Sequence, residues 1–342
     1  RALLALAALA TTADAGVWDR AAGGARDEAA RDLYDAKLLE GDTATMNALV
    51  RTANPALTLL AIDRATAAYR EAAALRPAEA EPYFRIGTLY YQMFFDCALV
   101  GMLVPPGIPV PTTCTPAMAT PARTQLAIDA WDDFERRAPL DPRVAEILFR
   151  RALLATKSVT GAPDDRAHLE RAARDYEALI ARADGLIGSR DEQQLGNLAE
   201  TYMMLGRLED AIATYQRAVA VGAARVSTIY GLAVALDRDG EGSAAQRWIR
   251  SQGQVGFDTF RREFARRDVF YVPQGESDYY FALLHEAFGN DQAARASWQR
   301  YLASGAHPEF QPRAREHLAA LARHKPRAAP PTELDELDGL IP

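Results

Sequence analysis

The residues of this chain that could carry chemistry are few, and their spacing does not converge on a reaction. Five histidines occur, His168, His285, His307, His317 and His324. His285 is followed by Glu286, but Ala287, Phe288 and Gly289 come next, so the second histidine of a helical zinc-protease motif is missing. His317 and His324 could share a face of one helix, yet two imidazoles fall short of the three or four ligands a zinc site needs. The carboxylate pairs Asp132-Asp133, Asp164-Asp165 and Glu209-Asp210 fall in helix N-terminal turns or on polar faces. Negative charge there is stabilised by the helix dipole, which explains the pairs without catalysis. No phosphate-cradling G-x-x-x-x-G-K-[ST], no G-x-G-x-x-G and no G-x-S-x-G elbow is found. No catalytic residue, metal ligand or cofactor site is therefore assigned, and the chain reads as a non-enzyme. Cys97 and Cys114 have no other cysteine or suitable histidine nearby to complete a zinc site. In an oxidising compartment they would form a disulfide, worth about 3 kcal/mol in the chain-entropy account. In a reducing one they would be two buried thiols.

The elements around these residues are helical. In Gln194–Gly222, Leu195, Leu198, Ala199 and Tyr202 recur at the spacing of one helix face. Gly206 stops that helix, since glycine most easily takes the left-handed terminal conformation. A second helix carries Leu208, Ala211, Ile212, Tyr215 and Ala218 on one face. Thirty-four residues on, Leu198, Ala199, Tyr202, Gly206 and Ala211 become Leu232, Ala233, Leu236, Gly240 and Ala245. Ala25–Glu40 has helical spacing and ends at Gly41, with a short helix possible before Pro55. Leu57–Leu75, Glu81–Met93, Gln125–Ala138, Val144–Lys157, Asp165–Ala183, Val226–Gln252 and Ser277–Ser304 continue the pattern. Gly240 to Gly289 is 49 residues, 15 more than the period. The extra material lies at 253–271, with a basic run at Arg261, Arg262, Arg266 and Arg267. A second insertion, 94–121, holds six prolines, so it cannot be one helix. It could plug a groove, contact a partner or lie tucked on the array. Tyr69, Trp131, Tyr176, Tyr215 and Trp298 fall at one equivalent place in successive second helices and read as a core layer.

A period of 34 with this alternation of small and large residues resembles the tetratricopeptide repeat (TPR) family, here of an exported bacterial type. The resemblance implies an all-α, right-handed superhelical solenoid of antiparallel helical hairpins over residues 25–324. Gln311–His324 would be the C-terminal capping helix that covers the open end of the stack. It also implies an interaction scaffold whose first helices line a concave groove. Residues of those helices outside the packing set are then expected to bind a protein or peptide: Phe84, Arg85, Tyr91, Arg150, Asn197, Glu200, Tyr230, Arg238 and Tyr280. Asn197 matches a family position that clamps a peptide carboxylate, with Arg85 and Arg150 as cations, though the full basic set is missing. The alternative is a groove-based solute-binding protein or an enzyme without a recognisable motif.

Compartment and partner class follow from the ends and the charge. Ala2–Ala10 is an apolar run after Arg1, and Ala13-Asp14-Ala15 gives a small-residue cleavage pattern before Gly16. Residues 1–15 therefore read as a truncated signal peptide and the protein as periplasmic or secreted. The alternative is a cytoplasmic chain whose first helix imitates a signal. Gly16–Gly24 would be a flexible mature start. The run is too short for a membrane span, which takes about 20 residues. A net charge of −7 argues against a nucleic-acid surface. Residues 325–342, proline-rich and then acidic, read as a disordered tail.

Overall fold

The computed structural model describes residues 2–50, 54–94, 120–157, 165–182, 189–222, 224–265 and 275–323. Among these every regular element is helical, so the all-α class holds. The chain divides into two compact units, residues 1–144 and 145–342. The insertion with Cys97 and Cys114, the greater part of 94–121, and the tail at 325–342 lie outside the described residues. No described helix is long and apolar enough to cross a membrane.

In the first unit, α1 (Ala2–Val50) pairs with α2 (Pro55–Leu75), and α3 (Glu81–Phe94) pairs with α4 (Pro121–Arg137). Helix α2 also lies against α3, which joins the two hairpins. Asn54 caps α2, its side-chain oxygen accepting from the Ala56 and Leu57 amides at 3.2 and 3.3 Å, with Pro55 as first helical residue. Thr120 caps α4 by accepting from Arg123 N–H at 3.3 Å. Pro121 is thus the first residue of that helix rather than the last of the insertion, a position where its missing N–H costs nothing.

Helix α1 corrects the reading of the N-terminal region. Its backbone is helical through Gly16–Gly24 and through Gly41, so the flexible start and the break at Gly41 are both absent. Gly41 is there for packing. A Cβ on it would run into the Tyr69 ring of α2. Gly87 of α3 faces the Trp131 indole of α4 in the same way. A glycine under a bulky aromatic lets two helices close to a short distance and lets the ring fill the space.

In the second unit the helices are α5 (Arg143–Lys157, entering across the unit boundary), α6 (Asp165–Arg182), α7 (Ser189–Met204), α8 (Leu208–Ala220), α9 (Val226–Arg238) and α10 (Gly242–Ser251). They continue as α11 (Gly253–Ala265), α12 (Glu276–Ala287), α13 (Asp291–Ser304), a 3-10 turn (Pro308–Phe310) and α14 (Gln311–Arg323). Helix pairs α7–α8, α9–α10 and α12–α13 are hairpins. First helices α7, α9 and α12 lie side by side, and α14 packs on α13 as the expected terminal cover.

The hairpin turns share one geometry. Gly206, Gly240 and Gly289 have φ of 74°, 90° and 77°. After each, an amide reaches back over the turn: Arg207 N–H to Tyr202 C=O (2.9 Å), Glu241 N–H to Leu236 C=O (2.8 Å) and Asn290 N–H to His285 C=O (2.8 Å). This six-to-one bond satisfies a terminal carbonyl, and only glycine reaches the required φ without strain. Tyr69, Trp131, Tyr176, Tyr215 and Trp298 are each no more than 2% exposed. Each buries on the order of 200 Å², about 5 kcal/mol of gross transfer free energy, so each is a large contributor to the packing of its own unit.

Candidate functional site

The nine residues expected on a groove are all at least half-buried. Six are buried: Tyr91, Asn197, Glu200, Tyr230, Arg238 and Tyr280. Tyr91 packs its ring 5.6 Å from Trp131. Phe84 and Arg85 are half-buried and tied into the first unit. Phe84 lies 5.4 Å from the Phe134 ring with the Arg143 guanidinium 4.4 Å above it. Arg85 bonds Glu81 at 2.9 Å and Asp42 at 2.5 Å. Arg150 pairs with Glu146 one turn away at 2.6 Å. The six buried positions are packed rather than open surface, for reasons that differ along the chain.

On α7, Asn197 donates to the Tyr176 hydroxyl at 3.3 Å. Glu200 accepts through one oxygen from the hydroxyls of Tyr215 and Tyr280, the latter at 2.8 Å. Burial drives the Glu200 pKa up, helped by the Glu276 charge, and the two tyrosine hydroxyls only partly offset this, leaving it at about 7. A lone carboxylic acid with this shift could act as an acid or base at neutral pH. Here its environment is a packed interior, with Tyr215 and Tyr280 engaged as its structural donors.

On α9 and α12 the covering element is α11, the extra material of the broken period. Its Phe257 and Phe260 are 2% and 0% exposed. The Phe260 ring lies 5.2 Å from Tyr230, 6.0 Å from Tyr280 and 5.7 Å from Phe281. Phe257 lies 5.2 Å from the His285 ring and stacks on Phe288 at 5.6 Å. Tyr230 and Tyr280 are thus covered from within the chain.

A second polar cluster pins the C-terminal cap. Arg238, with its side chain fully buried, bonds both oxygens of Glu276 at 2.8 Å, and its guanidinium lies between the rings of Tyr279 (4.5 Å) and Phe310 (4.3 Å). Beside it Asp237 accepts from Tyr279 (2.8 Å) and Arg313 (2.8 Å). His317 of α14 sets Nε2 3.0 and 3.1 Å from the Asp237 oxygens and Nδ1 2.9 Å from Glu286. Its ring stacks on Trp298 at 4.7 Å. Burial lowers the His317 pKa, but the two carboxylates outweigh burial and raise it to about 9. Burial likewise raises Asp237, and His317 and Arg313 outweigh it, holding Asp237 at about 2. An imidazole that donates from both nitrogens has no lone pair left for general-base work. The arrangement is a charged latch between the cap, α9 and α12. Among the described residues no group of three or more His, Cys, Asp or Glu could hold a metal ion.

The large apolar side chains left outside lie mainly on the first hairpin. Leu39, Met46 and Val50 of α1 are exposed by 66%, 53% and 74%, and Leu57 and Leu60 of α2 by 41% and 65%. Leu33 of α1 is exposed as well. Met46 and Val50 fall in the last turns of α1, and Leu57 and Leu60 in the first turns of α2, so four of these six sit at one end of the hairpin. Lys37, Glu40, Arg64 and Glu71 form ion pairs across the same two helices, including Lys37–Glu71 at 2.6 Å and Arg64–Glu40 at 3.3 Å. Leu57 and Leu60 lie within a helix that the sequence predicts, but off its packed face.

No protein-family model matches this chain, and no curated protein matches it. Among solved structures the crystal structure of MamA protein aligns with it at 14% identity and a TM-score of 0.42, covering 71% of this chain and 99% of that one. A similarity that distant does not bear on function.

Proposed function

We propose that this protein is a non-catalytic scaffold of stacked helical hairpins that holds a protein partner, and that it does so in the cell envelope. The observation that carries the first part is the exposed apolar end of the α1–α2 hairpin, Met46, Val50, Leu57 and Leu60, bordered by paired charges. An apolar patch with a polar rim is the anatomy of a protein interface. The occupant it suits is an apolar segment of another protein, because the patch is aliphatic and the Arg64 and Glu40 charges beside it are paired with each other. The buried acids and histidines elsewhere support the same reading, since they are spent on holding helices together. Support for the envelope is the Ala2–Ala10 run followed by Ala13-Asp14-Ala15.

The test is site-specific photocrosslinking in the native host, with the photoreactive residue at Met46 or Leu60 and a control at exposed Arg174. The reading expects a discrete protein adduct at 46 and 60, none at 174, and its loss on Val50→Asp or Leu57→Asp. Equal labelling at all three positions, or none at 46 and 60, refutes it. Mass spectrometry of the purified chain addresses location separately. A mature start at Gly16 supports export, and retention of residues 1–15 refutes it.

A further inference from the structure

The apolar residues of α1 that face solvent continue a longer ridge. At steps of three or four residues come Glu28, Asp32 and Asp35, then Leu39, Met46 and Val50. Thr43 fills the step between Leu39 and Met46. All of them are exposed. At 3.6 residues per turn these steps stay on one side of the helix. Tyr34, Leu38, Ala44 and Ala48 hold the opposite side and are buried. The ridge therefore has an acidic half and an apolar half. Among the described residues none of the three carboxylates makes an ion pair. Glu40, which is off the ridge, pairs with Lys37 and Arg64. Arg26 and Arg31 are out of step with the ridge.

Both halves are unfavourable in the free hairpin. Like charges three and four residues apart destabilise an exposed helix, and apolar side chains left in water gain nothing from folding. The backbone groups along the ridge are taken up by the helix itself, so a partner cannot add as a strand and must pack side chain on side chain. A helix laid along the ridge does this over its whole length. Charge decides whose helix it is. Two copies of α1 in parallel would set three carboxylates against three carboxylates. Antiparallel, they would set carboxylates against leucine, methionine and valine. Either juxtaposition works against a second copy, whereas basic side chains opposite Glu28, Asp32 and Asp35 are complementary.

We propose that the outer face of α1 docks one amphipathic helix of another protein, with an apolar half against Leu39, Met46 and Val50 and with Lys or Arg side chains against Glu28, Asp32 and Asp35. Val50 lies 22 residues after Glu28, so the docked helix is about 33 Å long, roughly six turns. Leu57 and Leu60 of α2 lie at the same end of the hairpin as its apolar half. This inference rests on the scaffold reading and adds to it the helical form and the basic half of the partner. The ridge lies wholly after residue 15, so it is present whether or not residues 1–15 are removed.

The experiment adds to the photoreactive residue at Met46 a second one at exposed Ala29, beside the acidic half. Adducts with one protein are expected at both, and the segment joined at 29 should carry Lys or Arg. The crosslinked segment, made as a labelled synthetic peptide, is then bound to the purified full chain and followed by fluorescence anisotropy. The triple variant Glu28→Lys/Asp32→Lys/Asp35→Lys should bind it at least about tenfold more weakly. Raising the salt from about 0.05 M to about 0.5 M should weaken wild-type binding by about tenfold. Glutamate in place of the basic residues of the peptide should restore binding to the triple variant, which a misfolded variant would not allow. Proline in the middle of the peptide should abolish binding, since it breaks a helix. An adduct at Met46 that Val50→Asp removes, with peptide binding unchanged in the triple variant or unharmed by the proline, overturns this inference and leaves the scaffold reading standing. No adduct at Met46 or Leu60 overturns both. Sedimentation velocity of the purified chain should show a monomer, and a dimer that Val50→Asp abolishes would make a second copy the occupant and overturn the proposal.

Discussion

Replacing His317 by glutamine should weaken the second unit in a way that depends on pH. In the folded chain the ring donates to Asp237 and Glu286 and titrates at about 9, against an ordinary value of 6.5. The folded state holds the proton more tightly than the unfolded chain, so the stabilisation is whole below pH 6.5 and is lost as pH rises through 9. At 1.36 kcal/mol per pKa unit the latch contributes about 3 kcal/mol at pH 6 and close to nothing at pH 10. On deprotonation the neutral ring keeps one N–H, so one of the two buried carboxylates loses its donor. The low value of Asp237 is the same interaction seen from its partner. It sets the acid limit, where stability falls as pH drops below about 4 toward 2. The glutamine variant also loses the stacking on Trp298, worth about 1 kcal/mol at any pH. Urea denaturation of wild type and variant at pH 6, 8 and 10, read by circular dichroism, should give a gap of about 4 kcal/mol that narrows to about 1 at the alkaline end. A gap that is the same at pH 6 and pH 10 refutes the charged latch and leaves His317 as an ordinary packed ring.

Two further outcomes follow from the packing. Glu200 is raised from 4.5 to about 7, so its own contribution to folding is most favourable below pH 4.5 and is lost as pH rises to 7. Glu200→Gln should remove that part of the pH dependence, and the variant should gain on wild type by up to about 3 kcal/mol between pH 5 and pH 8, measured by the same melts. Gly87→Ala places a methyl against the Trp131 indole, which is itself fully buried, and should cost about 1–3 kcal/mol in thermal or urea unfolding, as overpacking does. An unchanged melting temperature would show that the indole has room to move.

The sequence by itself determined the local structure and the packed layer. Glycines 34 residues apart close hairpins at Gly206 and Gly240 with the left-handed geometry that their spacing predicts, and Gly289 repeats it one lengthened period on. The aromatics at the equivalent place in five second helices, Tyr69, Trp131, Tyr176, Tyr215 and Trp298, are buried as predicted, because both features depend on near neighbours and a fixed helical period. Gly41 shows the limit. A glycine that ends a helix and a glycine that admits a ring look alike until the Tyr69 side chain of another helix is placed beside it. Only the tertiary structure decided which polar and aromatic residues were left for function. Asp237, Glu286 and His317 are up to 80 residues apart and meet only when the cap packs on α9 and α12. The Phe257, Phe260 and Phe264 spacing was present in the sequence, but a helical stripe does not say which surface it will cover. The expected groove residues were chosen as those not needed within their own hairpins. Tyr230 and Tyr280 among them are buried by Phe260 of α11, an element outside the repeat period, and no local pattern carries that information.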